Sequence, residues 1–439
     1  MEKTKTLRAA TLALCLGICS AASSQGITDW RKFWNAGAGT SSKAEFLTRD
    51  ASGNTIIAGR TSNGSYWDLL VQQYNAAGVL QWSQSYRPFD TNWPTAIATD
   101  AAGNIFVAGI GYQVFTGASF GFVKKLTPTG VEQWQAQHGK GTASLFVEPS
   151  GEVLVCGTIN VEFQANNLLL KKLSLAGKLV WQTIYNSGGT NQDTGISVSE
   201  DSAGNIYALM NTSGALQSQR VLQFSAAGNL LWKNSYFAPG NGSSSGTQIL
   251  GRPAGGCVVL GSKFDGANTN TQDITLSSFD TSGLLLWRKI YDNGDSTSDT
   301  PVAMSMNAAG KVAFVASTLN VWNFPEIATA LYDTSGAKVF ARTRGNGTTT
   351  GATASGVALD DSDNVFSTGK IYLNSNWNAS VFKYNSVGTL VWANSYNTVS
   401  GDDAANGVTI DNLGNAYVVG SCTRAASPAI LDLMFYKIH

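Results

Sequence analysis

The chain has 439 residues, with 29 Lys and Arg against 29 Asp and Glu, and only 13% of its residues are charged. So neutral a chain excludes a basic footprint for nucleic acid and an electrostatic grip on an anionic membrane. Its 47 glycines and 10% aromatics point to β-structure with many turns.

The first segment reads as a secretory signal. Lys3, Lys5 and Arg8 form a positive start, and residues 9–22 form an apolar run too short to span a bilayer. Small residues at 21–24 place cleavage just before Gln25. The expected division is therefore a signal peptide at 1–24 and a single domain at 25–439, in a secreted protein that is extracellular or periplasmic. Removing 1–24 leaves 26 Lys and Arg against 28 Asp and Glu. No later stretch is apolar enough to cross a membrane as a helix.

Next comes GITDWRKFW (26–34), a G-x-x-x-W-x-x-x-aromatic strand that returns as GVLQWSQSY (78–86), GKLVWQTIY (177–185), GNLLWKNSY (228–236), GLLLWRKIY (283–291) and GTLVWANSY (388–396). Its tryptophan column reads Trp30, Trp82, Trp134, Trp181, Trp232, Trp287, Phe340 and Trp392. A second motif alternates with it: an Asp-x-x-Gly-Asn turn and an apolar run, as in DASGNTIIAG (50–59), DAAGNIFVAG (100–109) and DNLGNAYVVG (411–420). Each occurs eight times, about 52 residues apart, which suits four short strands per unit and shows no helical period. In the turns the Asp accepts backbone N–H groups and the Gly takes positive φ. Asp363 replaces that Gly once, and Asp tolerates the same region.

Repeated four-stranded antiparallel units of this length read as propeller blades. The expected fold is an all-β, eight-bladed propeller. The last unit ends at LDLMFYKIH without a fourth strand, while GITDWRKFW stands alone at the other end. The N-terminal strand is expected to complete the C-terminal blade, with 27–34 antiparallel to 432–438.

The Asp-x-x-Gly-Asn-x-(Tyr/Phe)-Val-x-Gly unit at 100–109 and 411–420 resembles the bacterial β-propeller repeat family labelled SBBP. That resemblance covers nearly the whole mature chain and implies an extracellular propeller. The family name implies seven blades, against the eight units counted here. The strand in FDTSGLLLW (279–287) also resembles the tryptophan-docking motif of quinoprotein dehydrogenase propellers, which implies that the Trp packs between neighbouring blades. No adjacent Cys pair or acidic metal cluster of the kind those enzymes use is visible, and neither a cofactor nor a metal is expected.

Few residues offer chemistry. His138 occupies the column of Tyr86, Tyr185 and Tyr396, and His439 is terminal, so a His-based triad or metal site has no support. Cys156, Cys257 and Cys422 lie in apolar runs on blades that are not neighbours, and are expected to be buried free thiols. Asp193, Asp299 and Asp403, with Asn92 in the same register, lie eight residues before their turn motifs, where one blade crosses to the next. They either cap the crossing turn or form a partial ring of acids at the channel mouth. The face with the tight turns is accounted for by turn geometry. The opposite face is expected to carry longer, variable loops and the aromatics Trp67, Trp93, Tyr112, Trp322 and Trp377, which either pack on the blade below or bind a ligand. The expected function is a non-catalytic binding module of a bacterial envelope, a monomer with a glycan or protein ligand on that face and no nucleic-acid partner. The alternative is an extracellular carbohydrate-active enzyme using carboxylates near the channel mouth, which two acids within about 5–10 Å beside an open groove would favour.

Overall fold

A computed structural model describes residues 24–439 except 38, 63, 162–164, 215–216, 241, 265–270, 295–297, 348–350, 399–400 and 427–428. The expected signal peptide falls almost wholly outside the described residues. Eight antiparallel sheets form the blades of a propeller, and there are no helices among the described residues. The second blade is representative: Thr91–Thr99, Ile105–Gln113, Ala118–Leu126 and Glu132–His138 pair in order from the inside outward. The inner strands of successive blades pack on one another around the axis. The second and third strands are the most apolar and the most buried, so each interface between blades is its own core layer.

The ring closes as the sequence suggests. Thr28–Trp34 pairs antiparallel with Ala429–Ile438, from Thr28 opposite Ile438 to Trp34 opposite Leu433. Ile27 and His439 exchange two backbone hydrogen bonds of 3.1 Å. Asp29 bridges Lys437 and His439 at 2.8 and 2.7 Å, and the hydrogen bond from Lys437 holds its carboxyl below the usual range. The latch extends one step further than expected. Ser24–Gln25 adds a short parallel strand to the outer edge of the neighbouring blade, beside Trp392 and Ala393.

The tryptophan column explains why the blades hold together. Each indole lies over the glycine that closes the outer turn of the next blade: a Cβ on Gly130 would sit 2.8 Å from Trp82, and one on Gly228 would sit 2.6 Å from Trp181. Five of these indoles also donate Nε1–H to the carbonyl two residues before that glycine, as Trp181 does to Ala226 at 2.9 Å. Phe340 fills the same place over Gly388 without the donor. The circle ends on the latch: Trp392 lies over Gly26, and Trp30 over Gly78. Gly26, the first letter of the orphan strand, is thus the eighth docking glycine.

Turn chemistry is as read. Asp50 accepts from the backbone N–H of Asn54 at 2.9 Å and from its side-chain amide at 2.8 Å, with Gly53 at φ 81°. Asp363, in the glycine place, has φ 64°. His138 is a packing residue: its Nε2 meets Thr142 Oγ1 at 2.6 Å, and burial lowers its pKa to about 3. All three cysteines are buried free thiols, and burial pushes Cys156 and Cys422 up to about 12.

One expectation fails. The fully described loops between second and third strands are short: four residues at 114–117, five at 320–324 and two at 374–375. Asn374 and Ser375 both have positive φ, the geometry of a tight hairpin. Residues 320–324 form another tight turn, in which Asn320 Oδ1 accepts from the N–H groups of Trp322 and Phe324. Asn supplies here what Asp supplies on the opposite face.

Candidate functional site

Every inner strand carries a β-bulge at the same height. The extra residues are Glu45, Thr95, Ala143, Ile196, Thr247, Val302, Ser355 and Asn406. All eight line a central cavity of about 530 Å³. A bulge increases local twist and re-aims side chains, and here it turns one residue per blade toward the axis.

Two residues ahead of each bulge the strands reach the channel mouth. Six blades place Gly141, Thr194, Ser245, Thr300, Thr353 or Ala404 there, all small. The first two blades place Lys43 and Trp93, so the mouth is lopsided. Beside them a hollow of about 430 Å³ is lined by Lys43, Glu45, Phe46, Trp93, Pro94, Asn406 and Ser421. Arg60, paired with Lys43 across the first blade, donates Nε–H to Glu45 at 3.0 Å. Its guanidinium lies 5.1 Å from the Trp67 ring and 6.0 Å from the Trp93 ring. Lys43 Nζ lies 5.6 Å from the Trp67 ring. Burial, and secondarily the Arg60 charge, lower the Lys43 pKa, with Glu45 opposing. Glu45 balances Arg60, and the hollow keeps one positive charge.

The structure therefore joins Trp67 and Trp93, through Arg60. It does not join the other aromatics to them. Tyr112 sits at the end of a second strand opposite Thr91. Trp377, in the seventh blade, packs edge-on against Tyr372 at 5.5 Å with Lys370 Nζ 4.3 Å from its ring. Trp322 stands 74% exposed on its tight turn in the sixth blade. Lys43, Glu45 and Arg60 were not singled out in the sequence. The signal was the lone Lys and Trp in a column of small residues, visible only once the bulge sets the alignment.

Asp193, Asp299 and Asp403 are buried to 0%, 0% and 1% exposure, turned onto the crossing loops. Asp193 accepts from Ser187 N–H at 2.6 Å and Thr212 Oγ1 at 2.8 Å. Asp299 accepts from Asn293 N–H at 2.9 Å and from Thr318 Oγ1. Asp403 accepts from Thr398 and from Thr423 N–H. Asn92 does the same with Phe89, by donating and accepting. These groups tie each crossing loop to the strand behind it.

Asp299 also belongs to a cluster. Its carboxylate, that of Asp273 and that of Asp292 lie within 4.8 Å of one another. Lys263 Nζ lies 2.9 Å from Asp273 and supplies counter-charge. Burial, with smaller contributions from the two neighbouring acids, raises Asp299 to about 6. A carboxyl raised in the fold prefers its neutral form there. Its stabilising contribution is complete below about pH 4 and is lost as pH rises through 6, by up to about 3 kcal/mol. Asn92 shows that an amide can cap this place. Asp299→Asn is therefore expected to gain a few degrees of Tm relative to the parent at pH 7 and nothing at pH 4. Equal differences at both pH values would contradict a neutral-preferring Asp299.

No family model matches the chain, and no curated protein matches it. Solved structures that resemble it include the quinohemoprotein alcohol dehydrogenase ADHIIG from Pseudomonas putida HK5, at 11% identity and TM-score 0.49, covering 91% of this chain and 76% of that one. The β-propeller domain of the Trilobed protease from Pyrococcus furiosus matches at 8% identity and TM-score 0.46, over 79% and 93%. Drosophila Plexin A, in complex with Semaphorin 1b, matches at 8% and 0.44, over 95% and 88%. The class defined by the sheets is an all-β, eight-bladed propeller of four-stranded antiparallel blades.

Proposed function

We propose that the chain is a secreted, non-catalytic binding module of a bacterial envelope, built from SBBP-type repeats and acting as a monomer. Its ligand, a glycan before a protein, docks on the face that bears the channel mouth. What carries the reading is the lopsided mouth: Lys43 and Trp93 beside an open hollow, in a ring whose other positions are small. Function concentrates where a rigid scaffold presents chemically distinct side chains. Half-exposed indoles supply area with a polar handle.

The enzyme reading draws on the cluster of Asp273, Asp292 and Asp299. Glycoside hydrolysis needs two carboxyl groups that reach the sugar. Asp299 is buried and Asp273 faces Lys263, which leaves exposed Asp292. Binding is the better supported function.

A glycan array probed with residues 25–439 tests this. Trp93→Ala is expected to weaken the strongest glycan signals about three- to ten-fold, the worth of one aromatic contact beyond its area. Trp322→Ala, on the far side of the ring, is expected to leave them unchanged. Full-strength binding by Trp93→Ala would remove the mouth as the site.

A further inference from the structure

Lys43 has an ammonium group at the rim of an open hollow, and no carboxylate among the described residues lies within ion-pairing reach of it. The nearest acid, Glu45, is already held by Arg60 at 3.0 Å. Three other cations of this face are matched by carboxylates, Arg87 by Asp68 at 2.6 Å, Lys263 by Asp273 at 2.9 Å, and Arg424 by Asp432, while Lys140 meets Asn166 Oδ1 at 3.1 Å and Lys370 the Trp377 ring at 4.3 Å. Partly desolvated charge without a partner is unfavourable, and a bound anion relieves it. Trp93, 37% exposed, lines the same hollow, with its neighbour Pro94 on the wall. Across from them are polar groups that can orient hydroxyls, Asn406 and Ser421. Asn406 is fixed in place because its Nδ2 donates to Ala44 O at 2.7 Å.

Size narrows the occupant. About 430 Å³ is the range of small-ligand sites. A stable protein partner needs roughly 800 Å² of contact on each side, and the small residues around the rest of the mouth provide no second anchor. We infer that the hollow takes an anionic saccharide unit, with its carboxylate or sulfate on Lys43 and a sugar face on Trp93. This rests on the binding reading above and names the ligand chemistry for the same site.

The experiment is a glycan array containing uronate, sialylated, sulfated and neutral oligosaccharides, followed by titration of the best binder in low and high NaCl. Binding is expected to concentrate in the anionic classes and to weaken with salt. Which anionic class leads separates carboxylate from sulfate. Lys43→Met is expected to lose about ten-fold in affinity, the loss of one charge-assisted hydrogen bond, with an unchanged melting curve. Lys43→Arg is expected to retain most of the binding. If neutral saccharides bind best and Lys43→Met binds like the parent, the anionic assignment is overturned while the binding module stands. If no class on the array binds, both fall.

Discussion

Deleting residues 25–35 is expected to lower the Tm of the mature chain by about 10–20 °C and to make it aggregate. The segment supplies the outer strand of the eighth blade and the strand that overlaps the seventh. Without it, the edge of Ala429–Ile438 lies open, and Phe435 loses the Trp30 ring that packs on it at 4.8 Å. Trp392 loses the glycine beneath it, and Arg31 no longer lies 4.1 Å from the Tyr396 ring. Burial of two tryptophans, a six-pair ladder and the Asp29 ion pairs amount to about 5–10 kcal/mol, which sets the size of the shift. An unpaired apolar edge is also a template for other chains. Adding a synthetic 25–35 peptide to the truncated protein is expected to restore part of the Tm, since strand addition is how such edges are recognised. A truncated chain that melts like its parent would show that the latch carries no stability.

Much of this closure was legible because a strand with Trp at a fixed place cannot exist alone. Eight Trp-column residues and eight turn motifs fit only if Trp30 belongs to the blade of Asp411. The paired ranges followed too, but Leu433, Met434, Phe435 and Tyr436 are all fully buried, because blades pack on both faces of the strand, so alternation alone does not set the register. The site was less legible. Lys43 lies in SSKAEFLTR, a strand without a motif, and its equivalence to Trp93 depends on a bulge that pattern alone does not mark. Trp67 and Trp93 were chosen as aromatics, but the guanidinium between them comes from Arg60, next to the glycine that ends the second motif. Loop length misled because Asn320 and Asn374 close turns that lack the Asp-x-x-Gly signature. The aligned acids were read at the correct place with two roles open. Burial assigns them to the crossing loops, because a carboxylate with no exposed surface is occupied by the donors around it.

The docking ring gives the second large effect. Gly228→Ala is expected to cost about 3 kcal/mol, or roughly 6 °C. Two causes add. Gly228 has φ 79°, where an L side chain costs about 1–2 kcal/mol. The new Cβ would also stand 2.6 Å from the Trp181 indole, too close for any real contact, so the ring must lift off the next blade. Lifting it breaks the 2.9 Å hydrogen bond from Nε1 to Ala226 O and opens apolar surface between the fourth blade and the third. Gly188 separates the causes. It has φ 103° and nothing within 4 Å of the place a Cβ would take, so Gly188→Ala should show backbone strain alone, about 1 kcal/mol. Trp181→Ala should cost about 3–5 kcal/mol by leaving a cavity over the glycine. In the double variant the clash is gone, and Gly228→Ala on the Trp181→Ala background should fall to the strain value. That non-additivity, read by denaturant titration of the four chains, is the signature of an indole resting on a glycine. Additive losses would mean that the two residues act separately and that the repeated Gly-x-x-x-Trp pattern is turn chemistry rather than the joint between blades.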